Sequence, residues 1–242
     1  IWTYAYYNTS RAGAVTFVGG GPSAGTFSVS GMIDNAGHAS DCSAITIRNY
    51  SAVTIGSGGI ASYKNGPQDG SMIAITNIGA GGVSVGGNID HSNAGANNSG
   101  FTHPNHVTID TAGNVQLAGI ATYQYKASEW MYTDVGAITI TAGGSVRVTG
   151  SLETYLVGSD VAHSRNAGAV NVTATGTVQL AGIDTHTLQN DASRYAGDVQ
   201  VTAGGDITIN GAINLSSPNG GDRQGSMRLV TTAGSNKTIT LG

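Results

Sequence analysis

Two groups of residues have the types and spacing to do chemistry. Tyr123, Tyr125, Trp130, Tyr132 and Tyr155 fall close together, interleaved with Lys126, Glu129, Asp134 and Glu153. Rings beside carboxylates and amides suit sugars, because ring faces stack while hydroxyls find acceptors. The same rings would equally serve as a satellite core tying loops to a frame, or as an interface with a neighbouring chain. The second group is a recurring pair: Ser10-Arg11, Ser164-Arg165, Ser193-Arg194 and Asp222-Arg223 each stand shortly before a Gly or Ala that opens a new repeat. Arginine there can cap loop carbonyls, pair with a nearby Asp, or hold an acidic polysaccharide. The expected ligand-facing set is therefore Tyr123, Tyr125, Trp130, Tyr132, Tyr155, Arg165 and Arg194.

Other chemistry is less well supplied. A lyase-like centre needs a Lys, Arg, His or Tyr base beside carboxylates. Lys126, Tyr123, Tyr155 and Arg165 lie near Glu153 and Asp160, but spacing singles out none of them, and no catalytic residue is assigned. His103 and His106 are separated by Pro104, so no helix aligns them as ligands, and neither a metal nor another cofactor is expected. The single cysteine, Cys42, excludes an internal disulfide. Nucleophile elbows, phosphate loops and dinucleotide fingerprints followed by a helix do not occur. A net charge of −4 with no basic stripe argues against nucleic acid as a partner. No run of about 18 apolar residues is present to form a membrane span.

The elements that must position these residues come from one repeated phrase. Its clearest copy runs from Gly197 to Ile213: Val199 and Val201 alternate with polar residues, two glycines follow, Ile207 and Ile209 alternate again, and Ile213 closes it. Period-two alternation of β-branched residues marks half-buried strands, and the glycines between them mark turns. Eight copies align, with first positions at Val15, Ile45, Ile73, Val107, Ile138, Val170, Val199 and Met227, spaced by 28–34 residues. The second pairs begin at Phe27, Val53, Val83, Val115, Val146, Val178, Ile207 and Ile239. A third apolar position follows in seven copies: Ile33, Ile60, Ile89, Ile120, Leu152, Ile183 and Ile213.

One copy alone has too little core to fold, whereas stacked copies place like on like. The expected fold is all-β: a single-stranded parallel β-helix, or β-solenoid, of about eight rungs, forming one unit over residues 1–242. At roughly 4.8 Å per rung it would be about 38 Å long. Between the third position and the next copy lie insertions of variable length, so all of them should leave from one edge. Ile1-Trp2-Thr3-Tyr4 matches Ile120-Ala121-Thr122-Tyr123, and Leu241-Gly242 falls just short of the same position. That phase, with no polar cap at either end, leads to the expectation of end-to-end self-association or continuation in a longer rod.

Val201-Thr202-Ala203-Gly204-Gly205-Asp206-Ile207-Thr208-Ile209 and Ile140-Thr141-Ala142-Gly143-Gly144-Ser145-Val146-Arg147-Val148 resemble the repeats of filamentous-haemagglutinin-like bacterial surface proteins. The resemblance covers the fourth to seventh copies well and the others loosely. It implies a parallel β-helix and an extracellular, cell-surface location after secretion from a bacterium. The family's N-terminal secretion motif has no counterpart here. The expected role is non-catalytic: a structural and adhesive segment whose loop edge meets glycans or neighbouring chains. A polysaccharide-degrading or carbohydrate-binding β-helix is the alternative. An ice-binding solenoid is a minor one, since its threonine rows would be broken by residues such as Gln116, Arg147, Gln200 and Arg228.

Overall fold

A computed structural model describes residues 1, 13–35, 44–62, 72–92, 104–126, 134–158, 166–188, 195–217, 224–232, 234 and 236–242. The described residues form strands and turns with no helix, and every strand pairing is parallel. The first sheet takes one strand from each of the eight copies, from Val15–Val18 through Ile138–Ala142 to Met227–Thr231. The second sheet takes the other strand of each copy, from Thr26–Val29 to Ile239–Leu241, and also holds the short strands at the third position. The protein is thus a parallel β-solenoid.

Register follows the repeat residue by residue. Ile138 lies between Val107 and Val170, and Ile140 between Ile109 and Val172. Val146 lies between Val115 and Val178, and Leu152 between Ile120 and Ile183. The reason is the period of two: a one-residue slip would turn every inward Val and Ile outward. The expectation of about eight rungs is refined in one respect. All five inward positions are buried only in the five coils that begin at Ile45, Ile73, Val107, Ile138 and Val170. At the leading end the core is closed in part by Phe17, Phe27 and Tyr50, whose rings lie 4.8 and 5.4 Å apart in sequence order. At the other end Met227, Ile239 and Leu241 are exposed. Ile1 sits one coil before Ile33, donating its amino group to Met32 O and accepting from Asp34 N.

Two features go beyond the repeat pattern. The second strand and the third position were expected as separate pieces. In the middle coils they are one long strand, as in Val115–Ala121 and Val146–Glu153, bent by a register shift after Leu117 and Val148. An extra residue in one strand bends it and lets a single strand serve two faces of the core. The turn glycines serve two needs: some, such as Gly25, take a positive φ, and others lie against the neighbouring coil. Gly204 has no positive φ. A Cβ there would lie 2.0 Å from Thr175 O, in the coil beneath. Glycine is needed at this turn because successive coils touch backbone to backbone.

Gly204→Ala should therefore lower the melting temperature by several degrees, the effect of overpacking worth about 1–3 kcal/mol. Gly31→Ala, where an added Cβ meets nothing within 4 Å, should leave it unchanged or slightly raised. Calorimetry on the two variants checks the contrast.

Candidate functional site

Insertions leave the frame through a pinned neck. Thr122, Thr154 and Thr185 occupy one position in successive coils, and each is fully buried. Their Oγ1 hydroxyls donate to the carbonyls of Gly136, Gly168 and Gly197, where the insertions return. Gly168 N and Gly197 N donate back to Thr154 O and Thr185 O at 3.1 and 3.0 Å. Both ends of an insertion of about a dozen residues are thereby held together. One coil earlier, Asn105 Nδ2 makes the closure by donating to His91 O at 2.9 Å. His91 is itself fully buried, and its Nδ1 lies 2.9 Å from Ser62 O, so this histidine is part of the frame.

Immediately outside the neck, a third and unexpected sheet begins. The strands Gln124–Lys126, Leu156–Gly158 and Thr187–Leu188 pair in parallel, with Gln124, Leu156 and Thr187 in register. The stretches expected to leave as loops thus start as a continuation of the stack. Leu156, Val135 and Ala167 make a small core beneath them. Gln124 Oε1 and Thr187 Oγ1 are buried there without a hydrogen-bond partner among the described residues.

The residue before each of these strands builds the candidate site. Tyr123 and Tyr155 stack face to face at 4.5 Å and 4°, and His186 stacks on Tyr155 at 5.0 Å and 20°. Alongside runs the register column Asp90, Ala121, Glu153 and Asp184, which ends in Asn214. Its members hold local turns: Asp90 Oδ1 accepts from Ser92 N, Asp184 Oδ1 from His186 N, and Asn214 Oδ1 from Ser216 N. His186 Nδ1 also meets Asp184 Oδ1, which fixes the ring over Tyr155.

Electrostatics follow from this crowding. Burial, reinforced by Asp184 and Asp90, raises the Glu153 pKa. Burial is also the main cause of a strongly raised Tyr155 pKa, with Tyr123, Glu153 and Asp184 adding to it. The Tyr155 phenol therefore stays protonated at neutral pH, where it can donate a hydrogen bond but not abstract a proton. Both faces of its ring are covered, by Tyr123 and His186, so it offers no face to a sugar.

Of the residues expected at the site, the fold brings together Tyr123 and Tyr155. Tyr125 lies on the third sheet, opposite Val157. Trp130, Tyr132, Arg165 and Arg194 lie outside the described residues. His186 and Asp184 were not in the expected set. The available signal was that His186 holds the repeat position of Tyr123 and Tyr155. Among the described residues, no group of three or more His, Cys, Asp or Glu is placed to hold a metal ion. Compared with protein-family models, curated proteins and solved structures, the chain matches none. Fold and site together define a parallel β-solenoid with a stacked aromatic and acidic column where its insertions leave.

The raised Glu153 pKa has a definite sign. The folded state holds that proton more tightly than the unfolded chain does, so stability falls as pH rises from the unfolded value of 4.5 through the folded one. Glu153→Gln should raise the melting temperature by a few degrees at pH 7, and the gain should vanish below about pH 4.5. Thermal melts of both proteins across that range measure it; a gain that grows towards acid pH would contradict the assignment.

Proposed function

We propose that this chain is a non-catalytic structural segment of an extracellular bacterial surface protein or filament, with adhesive contacts along the edge where its insertions leave. The observation that carries the reading is the division of labour in the coil. The inward ladders and the coil-to-coil backbone bonds make a stiff frame, and buried threonine necks present three successive insertions from one edge. Stiffness with a single variable edge is what a spacer that displays contacts needs. The likeness of the Thr-Ala-Gly-Gly phrases to filamentous-haemagglutinin-like repeats supports the surface location. End-on association with a further solenoid is part of the same proposal, because the parallel coil-to-coil pairing that builds the frame would extend across such a contact. Negative-stain imaging of the purified chain should show rods longer than the roughly 38 Å expected of eight stacked coils. Single short particles at every concentration would remove the end-on part of the proposal.

A polysaccharide-degrading activity is favoured by one observation. Glu153 is a partly buried carboxyl whose pKa is pushed up by burial and by the neighbouring carboxylates Asp184 and Asp90, the direction in which a general acid is tuned. Against it stands the Tyr155 phenol, whose raised pKa keeps it protonated and so unable to serve as a base. Incubation with polygalacturonate and with neutral glucans, assayed for unsaturated product and for new reducing ends, tests this. The structural reading expects neither. Turnover lost in Glu153→Gln would overturn it.

A further inference from the structure

On the return side of the insertions, a groove of about 490 Å³ runs along the rod. Its floor is a single register column. His106, Ala137, Ala169 and Asp198 each precede the first inward residue of successive coils, a span of about 14 Å at roughly 4.8 Å per coil. The middle two are alanines, so the column is hollow between a histidine and an aspartate. The side wall is a second column of Asp134, Asn166 and Tyr195. Asn166 N donates to Asp134 Oδ1 at 2.8 Å, and Tyr195 N donates to Asn166 Oδ1 at 3.0 Å, so the wall is fixed from coil to coil. Tyr195, at the edge of the groove, is 48% exposed.

The polar groups alternate in kind. Ala137 N donates to His106 Nδ1 at 3.0 Å, and desolvation lowers the pKa of that ring. His106 is therefore neutral, with its proton on Nε2 as a donor. Asn166 spends its carbonyl within the wall and keeps its amide NH₂ as a second donor. Asp134 Oδ1 accepts from Asn166 N, and Asp198 Oδ1 from Ser226 N and Oγ, so the second oxygen of each carboxylate supplies the acceptors. A small apolar floor, one exposed ring, and donors and acceptors around the rim match a pyranose, whose C–H face packs on apolar surface while each hydroxyl both donates and accepts. An extended peptide fits less well. The backbone here is already spent between coils, as in Val135 N to Asn166 O and Ala167 N to Tyr195 O, so no free ladder is offered. The ionised groups among the described lining residues are carboxylates, which disfavour an anionic sugar.

We infer that this groove binds a short neutral oligosaccharide lying along the rod axis, with its rings against Ala137, Ala169 and Tyr195. The inference rests on the glycan-contact part of the reading above, and it moves that contact from the aromatic column to the groove. The test is calorimetric titration of the purified chain with maltotriose, cellotriose and tri-N-acetylchitotriose, and with trigalacturonate as the acidic arm. Tyr195→Ala removes the ring and Ala169→Leu fills the floor. Neither touches an inward ladder, and unchanged melting temperatures verify folding. At least one neutral trisaccharide should bind, and each groove variant should weaken it about tenfold, which corresponds to roughly 1.4 kcal/mol. Tyr123→Ala, in the aromatic column, should leave binding unchanged. Binding of trigalacturonate alone would overturn the inference. So would neutral binding lost with Tyr123→Ala but kept in both groove variants, although glycan contact itself would then stand. Absence of all binding would remove the groove assignment and the glycan contact together, leaving the rod untouched.

Discussion

Everything in this molecule depends on coils touching backbone to backbone in strict register. Backbone N–H and C=O groups of each coil are satisfied by the coils on either side, and the spacing this sets leaves no room for error. At Gly168 a Cβ would lie 2.3 Å from Gly136 O, and at Gly197 1.9 Å from Gly168 O. Within that spacing, side chains in one column are in contact by default. Inward columns are therefore Val, Ile and Leu, for which stacking buries the most apolar area. Outward columns must tolerate their own repetition, which is why like charges in a column have consequences.

The acidic column illustrates those consequences. Glu153 and Asp184 are register partners, so they cannot separate without breaking the stack. The molecule relieves the strain in two ways: Asp184 is engaged by His186, and Glu153 holds its proton more tightly. The rings respond to the same spacing. Tyr123, Tyr155 and His186 are one coil apart and stack, so Tyr155 becomes interior to a column although it lies near the surface. Aromatics that look like a sugar platform in one dimension thus become part of the frame in three.

Much of the frame was legible in the chain itself, since each inward residue is announced by its type and its period of two. Ile33, Ile60, Ile89, Ile120, Leu152, Ile183 and Ile213 fall in one column, as alignment of the copies requires. The third sheet was not legible. Gln124 and Thr187 are polar, and only the neighbouring coils bury them. The site was half legible. Tyr123 and Tyr155 are conspicuous as residues, but a Tyr–Tyr–His column needs knowledge of register that loops of different length conceal. The groove was least legible of all, because it is made by what is missing: Ala137 and Ala169 are unremarkable until the coils align them between His106 and Asp198.

The five closed coils should open as one cooperative block, with looser coils at its ends. Amide hydrogen exchange, resolved by residue in dilute solution, measures this directly. The amides of Ile47, Ile75, Ile109, Ile140 and Val172 should exchange slowest and at a common rate, and those of Leu229 and Leu241 fastest. Protection at Leu241 equal to that at Ile140, or ladder amides that exchange coil by coil at unrelated rates, would contradict it.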